Sequence, residues 1–200
     1  MLSILLLSLQ IVAIDEMSGS VEQFRTRFGY ADTGDRALVL EWAFAGGMVS
    51  VVAAYSIYGF IAWRFFFDNV NQHSVSFFLE HDVRPLLFRD SVVLADNARI
   101  HKTAGTLQVL NRVTNGQYLF NAAYCPFFNP IERGLGNVLN EARLHEQLAS
   151  RDPVGVLQRA FLKYSATGSH GHVAKAHFDV YQRNHDIFCA RIEQEARAGL

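Results

Sequence analysis

Cysteine is almost missing from this chain of 200 residues: two thiols, Cys125 and Cys189, exclude both a disulfide framework and a cysteine-built zinc site. An excess of either charge is missing too. Eighteen Lys and Arg against nineteen Asp and Glu leave a net charge of −1. That balance excludes a surface that holds nucleic acid through its overall charge; any such affinity has to come from a local basic patch or a separate basic module. There are no internal repeats and no low-complexity tracts. With half of its residues apolar and only 18% charged, the chain is not a disordered one. Its length suits a single α/β domain with a full core.

Two stretches carry no charge at all, Met1 to Ile14 and Ala43 to Trp63. The first has neither a basic start nor a small-residue cleavage site, so a signal peptide is not favoured. The second is long enough to cross a bilayer, yet its β-branched and aromatic residues surround a Tyr58-Gly59 break, which favours a buried hairpin. No membrane partner is therefore expected. His170, His172 and His177 lie near one another without acidic or thiol neighbours and read as a loop leading into a helix rather than a metal site.

The pattern predicts a central strand over Leu5 to Ile14, ending at Asp15, and then a polar, glycine-containing segment from Met17 to Arg36. A hairpin follows from about Met48 to Phe67. Asn71 caps a helix over Gln72 to Val83, stopped by Pro85. Ser91 to Ala95 is a short buried strand that delivers Asp96. A helix from Thr103 to Val113 ends at Asn115-Gly116, and Tyr118 to Phe120 is another strand. Helices are expected over Pro130 to Ala149, Asp152 to Tyr164 and Val173 to Ala198. An expected strand this close to the first residue suggests truncation. The order implies an α/β fold, a mixed sheet flanked by helices with extra C-terminal helices.

Three acids stand at telling places. Asp15 and Asp96 each end an apolar strand, and Glu132 sits in the first turn of a helix opened by Pro130. Singly, such an Asp is a turn or cap residue, and such a Glu answers the helix dipole. Together, delivered from distant points of the chain, they form the oxygen-donor set that hard divalent cations prefer. Glu16 follows Asp15 and should point to the opposite face of the sheet, outside the ligand set.

The segments Asp15-Glu16, Phe28-Gly29-Tyr30-Ala31 with Gly34, Asp96-Asn97-Ala98 with His101-Lys102, and Tyr124-x-Pro126 with Asn129-Pro130-Ile131-Glu132 occur in a recognisable order. In these residues, from about Leu9 to Arg143, the chain resembles the catalytic domain of mariner-type transposases of the DDE superfamily of endonucleases, which have a ribonuclease H-like fold. Thirty-five residues separate Asp96 from Glu132, close to the spacing in that group. The resemblance implies that Asp15, Asp96 and Glu132 are catalytic and hold two Mg²⁺ or Mn²⁺ ions, with Asn97, His101 and Asn129 in support. It implies DNA strand cleavage and strand transfer on transposon ends and target DNA, a possible homodimer, and a place in the nucleus, or in the cytoplasm and nucleoid of a bacterium.

The implied organisation is a catalytic domain over residues 1–150 and a helical extension over 151–200. The match departs in places. No helix-turn-helix region precedes Leu9, Cys125 stands where a serine is common, and Leu135 and Leu139 replace a customary Trp and Lys. Gly134 and Gly136 are expected to weaken the helix carrying Glu132. The alternative is a transposon-derived relic or domesticated protein that binds a partner without catalysis.

Overall fold

Five strands form one mixed sheet in the order β3-β2-β1-β4-β5. In the computed structural model the described residues are 11–19, 33, 49–121, 128–149 and 151–197. The strands are β1 (Ile11–Gly19), β2 (Val49–Ser56), β3 (Gly59–Phe66), β4 (Val92–Ala95) and β5 (Tyr118–Phe120). β1 to β3 pair antiparallel, whereas β4 joins β1 in parallel and β5 joins β4 in parallel. The helices are α1 (Gln72–Phe78), α2 (Ala104–Thr114), α3 (Pro130–Leu144), α4 (Glu146–Ala149), α5 (Pro153–Lys163) and α6 (Val173–Arg197). The early part of the expected first strand, the Phe28 to Gly34 turn apart from Thr33, and the Tyr124 to Pro126 segment lie outside the described residues.

Alternation along β1 sends side chains to two cores. Ile11 and Ala13 join Val51, Tyr55 and Phe60 with α3, α5 and α6 on one face. Val12 and Ile14 join Val52, Ala54 and Val93 with α1 and α2 on the other. Helices on both faces explain why all eight residues of β2 are buried, polar Ser50 and Ser56 included. The C-terminal helices share the first core: Trp63 of β3 stacks on Phe161 of α5 at 5.4 Å and donates from Nε1 to Gln158 at 2.8 Å. Tyr55 of β2 lies 2.8 Å from His177 Nδ1 on α6.

Three sequence expectations are corrected. β1 does not stop at Asp15; its ladder with β2 continues to the Gly19–Val49 pair, so β2 holds it extended beyond the acid. The helix that starts at Gln72 is regular only to Phe78, then widens into a π-helical turn over Leu79–Val83 and tightens into a 3₁₀ turn over Arg84–Leu86. Arg64 of β3 clamps Asp82 in that wider turn with two 2.6 Å bonds. The expected helix from Pro130 to Ala149 breaks at His145.

Gly134 also plays a different part from the one expected. A Cβ there would meet Tyr55 at 2.9 Å and Phe60 at 3.0 Å, so its bareness lets α3 press against β2 and β3. Gly136 faces open space. Gly59, expected at the hairpin break, has φ 118° and lies where a Cβ would strike the Tyr164 carbonyl at 2.4 Å. The β3 backbone there bonds the end of α5, through Phe60 N–H to the Tyr164 oxygen and Ala166 N–H to the Phe60 oxygen. No helix among the described residues is long and apolar enough to cross a membrane.

Candidate active site

The parallel pairing of β1 with β4 ends at Ile14 opposite Ala95. The next residue of each strand is Asp15 and Asp96, so the register sets two acids side by side where β4 turns away. β1 continues on β2 alone, and a cleft at such a divergence suits a ligand. Asn129 and Glu132 arrive from the start of α3, which packs on the Asp15 face of the sheet.

Asp15 is only 6% exposed. Its Oδ1 accepts the Glu16 N–H at 2.8 Å and its Oδ2 accepts Asn129 Nδ2 at 3.0 Å. Burial, and then the charges of Glu132, Glu16 and Asp96, push its pKa up to about 8. Glu132 is raised as well, by partial burial and by Asp96 and Glu16. Its side chain reaches solvent by surface area, but the neighbouring chain dehydrates it in part. The three sequence-predicted acids thus feel one another's charge, and Glu16 adds a fourth. Among the described residues no three of His, Cys, Asp and Glu stand close enough to cage an ion as they are.

Asp96 behaves in the opposite way. Burial favours its neutral form, but His101, the Ala98 N–H at 2.9 Å and Lys102 together hold its pKa below the usual carboxylate value. The cation is His101, which is 1% exposed. Its Nδ1 lies 2.7 Å from Asp96 Oδ1 and its Nε2 lies 2.9 Å from Glu16 Oε2. Both contacts are short but bent: His101 Nδ1 and Glu16 Oε2 have no aligned hydrogen bond, so they are ion pairs by distance. Burial disfavours the charged ring, yet the two acids outweigh it and raise its pKa to about 10. His101 belongs to the 3₁₀ turn Arg99–Lys102 ahead of α2, not to an exposed helix surface.

The supporting amides anchor backbone. Asn97 Nδ2 donates to the carbonyl of Asn121, the residue after β5, while Asn121 N–H donates to the Ala95 carbonyl at 2.9 Å. Asn129, 2% exposed, holds Asp15. The buried polar side-chain atoms left without an aligned partner among the described residues all lie here: Glu16 Oε2, Asn97 Oδ1, His101 Nδ1, Asn121 Nδ2 and Asn129 Oδ1. A fold satisfies such atoms almost everywhere, so their concentration in one cleft marks a functional site.

Of the six residues singled out from the sequence, Asn129 touches Asp15 and His101 touches Asp96; Glu132 is linked to the acids only through its charge, and Asn97 bonds Asn121 rather than an acid. Sequence reasoning set Glu16 aside because alternation sends it to the opposite face, and alternation is right about the face. What it missed is that His101 reaches around the end of β4 to couple that face to Asp96. Asn121 was also missed; its position just after a short strand was the available signal, since adjacent parallel strands end at one cleft. In the histidine cluster, His177 is engaged by Tyr55, and the His170 and His172 rings lie 6.1 Å apart.

A family model described as DDE superfamily endonuclease matches residues 10–154. No curated protein matches by sequence. Among solved structures, a pre-cleavage Mos1 transpososome is similar at TM-score 0.65 and 16% identity, covering 88% of this chain and 54% of that one. The Mos1 mariner paired-end complex with Mn gives 0.62 and 19%, covering 87% and 53%. The Mos1 transposase catalytic domain with Raltegravir and Mg gives 0.52 and 16%, covering 86% and 82%. At these identities the likeness is one of fold, and the chain spans about half the length of the chains in the two larger complexes.

Proposed function

Because this chain belongs to the DDE superfamily of endonucleases, we propose that it cuts and rejoins DNA strands in transposition, by phosphodiester hydrolysis and transesterification without a covalent protein–DNA intermediate. The observation that carries this reading is the register that ends the β1–β4 ladder at Asp15 and Asp96, with Glu132 in their field. The fit to metal rests on donor chemistry. Asp15 resists ionising because it is buried and, after that, because Glu132, Glu16 and Asp96 lie near it, and nearby buried amide oxygens lack partners among the described residues. Asp15, Asp96 and Glu132 would hold two Mg²⁺ or Mn²⁺ ions. Bound there, the ions supply Lewis acidity to the attacking and the leaving oxygen.

The chain's own residues do the positioning. The Ala98 N–H and His101 both engage Asp96 Oδ1, which fixes the carboxylate and leaves Oδ2 out of these contacts. Asn129 and the Glu16 N–H orient Asp15, and Asn97 ties β4 to the residue after β5. Preorganising the acids before DNA arrives lowers the reorganisation the reaction would otherwise need. The partners on this reading are transposon ends and target DNA, with a homodimer to hold two ends. The place is the nucleus of a eukaryotic cell, or the cytoplasm and nucleoid of a bacterium.

A second reading, a domesticated protein that binds a partner without catalysis, draws on one observation. Leu135, where a Trp is customary, is buried in the core, and Leu139, where a Lys is customary, packs against that core and offers no charge to a phosphate. Nicking of supercoiled DNA separates the two. Mn²⁺-dependent nicking that disappears in Asp96→Ala supports the enzyme. An absence of nicking, with partner binding unchanged by Asp15→Ala and Asp96→Ala, supports the relic.

A further inference from the structure

With a net charge of −1, the chain must gather its phosphate-neutralising charge locally if it is to hold DNA. It does so at the opposite end of β4 from the acids. A cavity of about 210 Å³ is lined by Arg84, Arg89 and Arg112, and by no carboxylate. Arg112 is paired with Glu80, but Arg84 and Arg89 have no ion-pair partner among the described residues. Both are exposed.

The wall of the cavity is a tight turn. Ser91 N–H donates to the Phe88 carbonyl at 3.0 Å, and the Phe88 N–H donates to Ser91 Oγ at 2.9 Å. That turn puts Arg89 at its tip and leaves the Phe88 ring 84% exposed. Two guanidinium groups without ion-pair partners among the described residues border one space, with Asp90 beside Arg89 in the turn and the Phe88 ring exposed. A phosphate gains from both guanidinium forks, which match its oxygens in pairs, while the ring offers an apolar face to a sugar.

The position is informative too. Ser91 precedes β4 and Asp96 follows it, and at about 3.3 Å per residue the cavity lies roughly 16 Å from the acids along the strand. We propose that this cavity is a second DNA-backbone site, in which Arg84 and Arg89 grip a phosphate away from the one presented to Asp15 and Asp96, with Phe88 against the neighbouring sugar. The assignment of DNA as the ligand rests on the function proposed above.

The test measures binding of a fluorescein-labelled DNA duplex to the full chain across a salt series. Arg84→Gln/Arg89→Gln should weaken binding at least tenfold and flatten the plot of log affinity against log salt by about 0.9, the value of one phosphate contact. Arg84→Lys/Arg89→Lys should restore the slope and only part of the affinity, because lysine keeps the charge and loses the fork. Phe88→Ala should weaken binding with the slope unchanged, and unchanged far-ultraviolet circular dichroism of each variant secures the comparison. A Gln/Gln variant with wild-type slope and affinity overturns the proposal, as does polyglutamate competing as well as DNA of equal charge. Nicking keeps the two readings apart. If the wild type nicks but the slope does not move, this site alone fails; if the slope moves but nothing nicks, the cavity stands and the catalytic reading fails.

Discussion

Replacing Asp15 by Asn should make the metal-free protein more stable, although it removes a side chain at the centre of the site. Burial and three neighbouring acids raise the Asp15 pKa from 3.8 to about 8. Below pH ~4 the residue is neutral whether the chain is folded or not, and it has no effect on stability. As pH rises from there to about 8, the unfolded chain ionises while the folded one resists, so stability is lost across that window and the loss is constant above it. At pH 7, about three pH units above the ordinary value, the loss approaches ~4 kcal/mol as an upper limit. Asn cannot ionise in either state. Its carbonyl can still accept the Glu16 N–H, and its amide can donate to the unpartnered Asn129 Oδ1 once the Asn129 amide turns over. Thermal unfolding in EDTA should therefore show Asp15→Asn melting up to roughly 8–16 °C above wild type at pH 7, at ~2–4 °C per kcal/mol. The gap should close near pH 4. Adding Mn²⁺ should raise the wild-type melting temperature more than the variant's, since the variant loses one of the three carboxylates that would hold the cation. A variant less stable than wild type at pH 7 without metal, or a gap that ignores pH, refutes the argument.

His101 should give the mirror-image profile. Its pKa is raised from 6.5 to about 10, so its stabilisation is whole below pH ~6.5 and is lost as pH climbs through 10. Unfolding free energies from urea titration of His101→Gln should lie ~1–3 kcal/mol below wild type near pH 6, where two half-buried acids lose their buried partner, and close to wild type at pH 10; equal losses at both would contradict the pairing with Asp96 and Glu16. Two glycines on α3 should part company. Gly134→Ala should destabilise by ~1–3 kcal/mol against Tyr55 and Phe60, whereas Gly136→Ala, facing open space, should gain up to ~1 kcal/mol of helix propensity, with calorimetric melting temperatures as the measure.

Periodicity carried much of the architecture. Alternation and the Tyr58-Gly59 break placed the β2–β3 hairpin within a residue of its bounds, and caps and prolines placed α2, α3 and α5. What failed were features that a partner strand or a distant side chain imposes. β1 runs past Asp15 because β2 continues to bond it, and the helix after Asn71 widens where Arg64, from another strand, grips Asp82. Gly134 looked like a flaw in a helix until Tyr55 and Phe60 were seen against it.

The sequence alone was enough for the family and the α/β class, and it pointed to three acids, because residue type and spacing are local properties that a motif preserves. Only the tertiary structure decided their electrostatics: which acid is paired, which is starved of positive charge, and which neighbour completes the cluster. A pKa depends on every charge and every ångström of burial around a group. Those neighbours come from β1, β4, the turn before α2 and the start of α3, segments that meet only when the sheet has formed.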